Sequence, residues 1–154
     1  MYDFVLFAHS WLRWLVLLAA LAAVARAVGG VSTRRPWTPV DDRAGLWLSA
    51  SLDLQLLLGL VLYGFLSPVT KSAFVDMAAA MQAAPIRFFA VEHPVGMIVA
   101  IALAHVGRVR IRKAGDSESR HKRALVFFGL SLLVMLLSIP WPIGPGARSL
   151  FRGL

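Results

Sequence analysis

Eight polar side chains that can bind a metal, move a proton or carry a buried charge lie within the apolar stretches of this 154-residue chain. They are His9, Arg13, Asp53, Gln55, Glu92, His93, His105 and His121. An ionisable side chain in hydrocarbon is expensive, so each of these positions needs a chemical reason. Histidine offers the widest choice of roles, because a neutral imidazole binds metals, forms hydrogen bonds and exchanges protons near neutral pH.

The four histidines form two pairs when their depth is counted along straight helices. With a rise of about 1.5 Å per residue, His9 lies ~8 Å and His93 ~10 Å from the outer ends of their apolar segments. His105 and His121 come out ~27–29 Å from the same side. The sequence therefore predicts an outer and an inner histidine pair.

Histidines on two helices at matching depth can ligate a haem iron axially. If helices one and three are diagonal neighbours in a bundle, His9 and His93 flank its axis. Bis-imidazole ligation leaves no open position on the iron and favours electron transfer. Gly59 lies at a similar depth on helix two, and Gly96 lies one turn beyond His93. Small residues at these positions are expected to make room for a macrocycle.

Two arginines near the outer pair offer positive charges for haem propionates. Arg13 lies one turn below His9 on the same face, and Arg87 lies at the outer interface. Because a guanidinium forms paired hydrogen bonds with a carboxylate, either arginine can hold a propionate. Arg13 also lies at the depth of Asp53, so the alternative is a buried ion pair that holds helices one and two in register.

The histidines also have interpretations without haem. A histidine inside a membrane can simply hydrogen-bond to a neighbouring helix, and quinone contact or proton relay are further roles. A second haem on the inner pair is disfavoured. His121 is flanked by three basic residues and is expected in the headgroup region. His105 is twelve residues from His93 and is turned ~120° from it around the helix.

Four apolar segments carry these residues, and each is close to the ~20 residues that a helix needs to cross a membrane. They run from Phe4 to Val28, from Ala44 to Leu66, from Ile86 or Pro94 to Val109, and from Ala124 to Ile139. In lipid every backbone group must be paired within its own segment, so helix is the expected state. The sequence predicts an all-α fold, a single integral membrane four-helix bundle over residues 1–154.

Two details of the helices are also expected. Phe74, Met77 and Met81 recur at helical spacing within 67–85, which predicts a short amphipathic helix on the outer surface between helices two and three. The fourth helix is expected to begin within Arg120–Arg123, because the long basic side chains can extend to the headgroups.

Composition and charge support a membrane protein. The chain is 58% hydrophobic and only 16% charged, too apolar for a water-soluble domain of this length. The net charge is +8, but eleven of the sixteen Lys and Arg flank the loops that join helices one and two or helices three and four. This bias indicates membrane orientation rather than nucleic-acid binding. It predicts a multi-pass protein of the bacterial inner membrane with both termini on the outer face.

Other kinds of chemistry find no support in the sequence. The chain has no cysteine, which excludes disulfides, iron–sulfur clusters, thiolate zinc sites and c-type haem attachment. It contains no phosphate loop, nucleophile triad or metalloprotease motif, so hydrolytic chemistry is not indicated.

Four short motifs carry a resemblance to a known family. They are HSWLRW from His9, LQLLLGLVLY from Leu54, RFFAVEHPVGM from Arg87, and SIPWP from Ser138. In this order, over most of the chain, they resemble small bacterial four-helix membrane proteins labelled cytochrome b-like. The resemblance implies a b-type haem for electron transfer, with His9 and His93 as axial ligands. Relatives of this type carry a histidine where this chain has Asp53, which leaves the ligands of any second haem in doubt.

The sequence is therefore compatible with three functions. The first is a haem b electron carrier between membrane quinol and an outer-face partner, or within a larger respiratory or photosynthetic complex. The second is a cofactor-free accessory subunit that packs against other membrane subunits or further copies of itself. The third is a proton-relay or transport protein that uses Asp53, Glu92 and the histidines.

Overall fold

The computed structural model describes residues 1–151 and 153, and in these residues the regular structure is entirely helical. The helices are α1 Tyr2–Thr33, α2 Pro39–Val61, α3 Pro68–Val75, α4 Met77–Gln82, α5 Ala84–Arg87, α6 His93–Arg112 and α7 Ser117–Ser138. Two π-helical turns extend them. Leu62–Leu66 continues α2, and Phe88–Glu92 joins α5 to α6.

Four of these segments are long and apolar enough to cross a membrane, with a mean hydropathy of 1.5 to 2.0 over an 18-residue stretch of each. They are Tyr2–Thr33, Pro39–Leu66, Ala84–Arg112 and Ser117–Ser138. The fold class and the four spans predicted from the sequence are confirmed. The spans extend beyond the predicted apolar segments because helix caps lie in the polar flanks. For example, α7 begins at Ser117, before the predicted start, because Asp116 accepts a hydrogen bond from the Ser119 amide at 2.8 Å.

The four long helices are arranged as a square in cross-section. α1 packs against α2 and α7, and α6 packs against α7 and α2, so α1 and α6 face each other across a diagonal. Small side chains allow the close approach of α1 and α6 to their neighbours. Fully or nearly fully buried alanines on these helices are Ala20, Ala23, Ala27, Ala100 and Ala104. The contact between α2 and α6 is the least extensive of the four.

The two ends of the bundle differ in composition. One end holds the N-terminus, helices α3 to α5 and the C-terminal segment 139–151, and we call it the terminus end. The other end holds the α1–α2 and α6–α7 loops with most of the arginines, and we call it the basic end.

The segment between α2 and α6 is helical, as predicted, but it is divided into short pieces. The break between α3 and α4 occurs at Asp76, whose carboxylate accepts a hydrogen bond from the Ala79 amide at 2.9 Å and caps α4. Ala73 and Ala80 form the buried side of these helices. The apolar side chains whose spacing predicted the amphipathic helix are exposed instead, and they are Phe74, Met77 and Met81.

Candidate histidine site

His9 and His93 meet across the diagonal of the bundle. The centroids of their imidazole rings are 6.4 Å apart, and the ring planes are inclined by 77°. His9 lies on α1, and His93 is the first residue of α6. The matching depth and the diagonal arrangement expected from the sequence are therefore both found.

Hydrogen bonds tie this pair to the other two long helices. On α2, the Gln55 side-chain amide donates to the His9 carbonyl oxygen at 3.0 Å, and its nitrogen lies 3.2 Å from His9 Nε2. On α7, the carbonyl oxygen of Ser138 lies 2.7 Å from His93 Nδ1. That carbonyl belongs to the last residue of α7, where no later helical amide is available to bond it. One polar cluster thus connects all four membrane-spanning segments.

The Ser138 contact determines the protonation of His93. A carbonyl oxygen only accepts hydrogen bonds, so His93 Nδ1 must carry the proton and donate it. In the neutral ring, Nε2 then carries a lone pair that can bind a metal. This arrangement, with one ring nitrogen held by a backbone carbonyl, is the usual support of a metal-binding histidine.

Four buried polar atoms on α1 and α2 toward the terminus end of the bundle have no hydrogen-bond partner within the described part of the chain. They are His9 Nδ1, Arg13 Nε, Trp14 Nε1 and Gln55 Oε1. Leaving a buried donor or acceptor unpaired costs about 1–3 kcal/mol for each group. Such groups are rare in folded proteins, and each calls for a partner such as a water molecule, an ion or a bound group.

The local backbone explains how the rings reach each other. The π-helical turn Phe88–Glu92 directly precedes His93, and such turns are frequent at functional sites. Phe88 lies against the His93 ring, with ring centroids 6.1 Å apart. At Gly59 on α2, a Cβ atom would lie 3.3 Å from His9 Cε1, so glycine allows the ring to pack closely there. Gly96 instead adjoins the side chain of Ser138, so it lets α6 and α7 approach and does not border the histidines.

The prediction of an ion pair between Arg13 and Asp53 is wrong. Arg13 donates to the carbonyl oxygen of Leu150 at 2.7 Å, and Asp53 Oδ1 lies 2.8 Å from His105 Nε2. The reason is the rotation of α2. Gln55 faces His9 in the interior, and a residue two positions away on a helix is turned by about 200°. Asp53 therefore faces the outside of the bundle beside α6.

The two arginines proposed for haem propionates lie in different surroundings. Arg13 is partly buried, and its guanidinium is within electrostatic reach of both His9 and His93. Arg87 lies near the surface, where its Nε donates to Glu92 at 2.7 Å and its Nη1 donates to the Met81 carbonyl oxygen at 3.3 Å. Of the two, Arg13 is the one in electrostatic contact with the histidine pair.

The C-terminal segment folds back over this site, which the sequence reasoning did not foresee. Its Phe151 stacks on Trp14 with ring centroids 5.4 Å apart, next to the bond between Arg13 and Leu150. Arg148 lies over the ring of Phe89 at 4.8 Å. A stretch rich in proline and glycine, from Pro140 to Gly146, follows the fourth helix in the sequence. The aromatic and basic residues beyond it were the available signal.

The inner histidines are not a pair in the structure. His105 and Asp53 form their contact on the outside of the α2–α6 seam, with side chains 48% and 52% exposed. His121 is completely buried among the helices, so its ring does not face headgroups or water, while its depth in the membrane stays a prediction. Its ring packs on Trp37 at 4.8 Å and against Gly30 of α1. Because α7 begins at Ser117, His121 lies more than one turn inside the helix and faces the bundle interior.

Comparison of the chain with protein-family models, curated proteins and solved structures finds no match in any of the three.

Proposed function

We propose that this multi-pass membrane protein binds one haem b and carries electrons, with His9 and His93 as the two axial ligands. The observation that carries the proposal is the 6.4 Å separation of the two rings across the bundle. A metal held at about 2 Å from one nitrogen of each of two imidazoles separates the ring centroids by roughly 6 Å. The inclination of 77° would not prevent both rings from binding one metal ion, because the lone pair of a ring nitrogen lies in the plane of its own ring.

The surrounding residues fit a haem in three respects. The Ser138 carbonyl holds His93 in the tautomer with a free Nε2. His9 Nε2 accepts a hydrogen bond from the Gln55 amide nitrogen, so it carries the lone pair that would bind the metal in place of Gln55. Arg13 supplies a positive charge and, with Trp14, buried N–H donors of the kind that bind carboxylates. Haem b supplies a reversible one-electron couple when bound, and two protein ligands leave no position for oxygen or substrate.

The proposed redox partners are a lipid-soluble quinol and a protein or complex at the terminus end. Support for the second partner comes from the position of the histidine pair, which lies toward that end beneath the C-terminal segment. A partner docked there approaches the pair more closely than one at the basic end.

An absorption spectrum of the purified protein tests the proposal. The protein, produced in haem-sufficient bacteria and purified in mild detergent, is expected to be red and to show a reducible low-spin b-type spectrum. Pyridine haemochrome analysis is expected to give one haem per chain. A preparation that stays colourless after haem is added to the apoprotein contradicts the proposal. The hydrogen bonds among His9, Gln55, His93 and Ser138 would then serve only to join helices, as in a cofactor-free accessory subunit.

A second candidate, proton relay, is favoured by the contact between Asp53 and His105. A carboxylate and an imidazole that share a hydrogen bond on the membrane-facing side of a bundle can pass a proton between them. Proteoliposomes containing the protein are then expected to take up protons, as read by an internal pH dye. The Asp53→Asn variant is expected to lose this flux, and Asp76→Asn, in the surface segment, is expected to keep it. If vesicles that contain the wild-type protein take up protons no faster than protein-free vesicles, this candidate is excluded.

We further propose that both termini lie on the outer face of a bacterial inner membrane. The support is the concentration of eleven of sixteen basic residues at the basic end, which is typical of the cytoplasmic side. Since the chain has no cysteine, single cysteines report orientation directly. Ser149→Cys is expected to react with an impermeant thiol reagent in spheroplasts with an intact inner membrane, and Ser32→Cys only after lysis. Both serines are exposed, and the opposite pattern would reverse the orientation.

A further inference from the structure

A cavity of about 420 Å³ lies at the basic end, between α2 and α6 and bordered by the start of α7. Arginines form most of its polar lining, and they are Arg43, Arg108, Arg112 and Arg120. The lining also contains the carboxylate of Asp42 and the apolar side chain of Leu46. Counting four positive charges and one negative charge, the cavity has a net charge of +3. It is separate from the histidine site, which lies toward the opposite end of the bundle.

The charge of this cavity is not neutralised within the described residues. Arg108 donates to the Ser49 hydroxyl at 2.8 Å, and Arg120 donates to the Ala114 carbonyl oxygen at 3.3 Å. Both partners are uncharged. The salt bridges formed by the described residues involve other side chains, and none of them includes a cavity arginine. Like charges held close together repel, so an anion between them is stabilising.

The position of the cavity in the bundle indicates which kind of anion it binds. Its walls are the ends of three membrane-spanning segments, Pro39–Leu66, Ala84–Arg112 and Ser117–Ser138. Leu46 is half exposed and lies on the membrane side of the cavity, closer to the middle of its span than Asp42 and Arg43. A ligand here meets arginines at the headgroup level and apolar surface toward the hydrocarbon. Basic pockets between membrane helices bind phospholipid headgroups in this way.

We propose that this cavity binds the headgroup of an anionic phospholipid, with its phosphate between the arginines and an acyl chain along Leu46. The net charge of +3 favours a headgroup with two phosphates, as in diphosphatidylglycerol, over one with a single phosphate. Bound there, the lipid bridges α2 and α6. These are the two adjacent helices with the least extensive contact of their own, so the lipid stabilises the weakest side of the square.

Thermal unfolding and native mass spectrometry in detergent test this proposal on the full chain. The probes are diphosphatidylglycerol, phosphatidylglycerol, phosphatidylcholine and inorganic phosphate. Diphosphatidylglycerol is expected to raise the Tm by several degrees and to survive as a bound adduct. Phosphatidylglycerol is expected to do so more weakly, and phosphatidylcholine is expected to have no effect. The ligand binds only the folded state, so the Tm increases with its concentration.

The matched variants are Arg43→Gln/Arg112→Gln in the cavity and Arg34→Gln/Lys113→Gln outside its lining. All four side chains are exposed at the basic end, and each double variant removes two positive charges. The cavity variant is expected to bind diphosphatidylglycerol at least tenfold more weakly, while the control variant binds it like the wild type. Unchanged helicity and Tm without lipid verify that the cavity variant is folded.

Three results would overturn the proposal. Equal stabilisation by phosphatidylcholine would show that the protein binds phospholipids in general and does not recognise an anionic headgroup. Equal stabilisation by inorganic phosphate would assign the cavity to a free phosphate anion. Equal loss of binding in both double variants would mean that lipid associates with the overall charge of this end and not with the cavity.

Discussion

Replacing His9 or His93 by alanine is expected to abolish the low-spin b-type spectrum of the purified protein. Each substitution removes one of the two proposed axial ligands and leaves the iron either five-coordinate or unbound. Absorption and electron paramagnetic resonance spectra of the detergent-solubilised variants measure the change. We expect loss of haem, or conversion to a high-spin form, in both variants, because neither histidine has a substitute ligand beside it in the described structure.

The other two histidines provide the controls. His105→Ala is expected to keep the spectrum, because His105 lies on the outside of the α2–α6 seam. His121→Ala is expected to lower the stability, because it empties a fully buried position, but also to keep the spectrum. If the spectrum persists without His9 and His93, or disappears in the His105→Ala variant, the ligand assignment fails.

The features predicted correctly from the sequence are those that depend on local properties. Hydropathy along the chain located the four spans, because any segment in lipid must satisfy its own backbone hydrogen bonds. The constant rise of a helix placed His9 and His93 at the same depth, and the structure brings their rings together. Depth along a helix axis can be read from sequence numbers alone.

The features missed depend on the rotation of each helix and on contacts between distant segments. Arg13 and Asp53 lie at similar depth, but they point to different partners because α2 directs Gln55 and not Asp53 to the interior. His121 was expected at headgroup depth because of its basic neighbours, and the sequence did not indicate that its ring is buried. It is buried because the N-cap at Asp116 extends α7 and because Gly30 leaves space for its ring.

The same limitation applies to a cluster around Asp41 that the sequence did not reveal. The Asp41 carboxylate is 3% exposed and lies where α2 begins, beside the end of α1. Arg35 donates to its two oxygens at 2.7 and 2.8 Å, and Arg26 donates to it at 2.8 Å. Thr38 adds two further bonds through its amide and hydroxyl. The hydrogen bond to Asp41 raises the pKa of Arg35 above its usual value, and an arginine is charged at physiological pH even without this shift.

Replacing Asp41 by asparagine is expected to destabilise the protein by ~3–5 kcal/mol, the usual cost of removing one partner of a buried ion pair. The change leaves the two partly buried guanidiniums of Arg26 and Arg35 without their shared carboxylate. It also weakens the capping box that begins α2. Denaturant titration in mixed micelles, followed by circular dichroism, measures the free energy of unfolding.

The neighbouring carboxylate is a matched control for this prediction. Asp42→Asn makes the same chemical change one residue away, but Asp42 is exposed, so we expect a smaller loss of about 1 kcal/mol or less, from its place in the first turn of α2 and beside the cavity arginines. Adding Arg35→Gln to Asp41→Asn is expected to recover part of the loss, because one of the unpaired charges is then gone. Equal effects of the two asparagine substitutions, or simple addition of the Asp41 and Arg35 effects, would show that the cluster does not join α1 to α2. A coupled result would mean that the basic end is held by this buried carboxylate, independently of any haem bound near the other end.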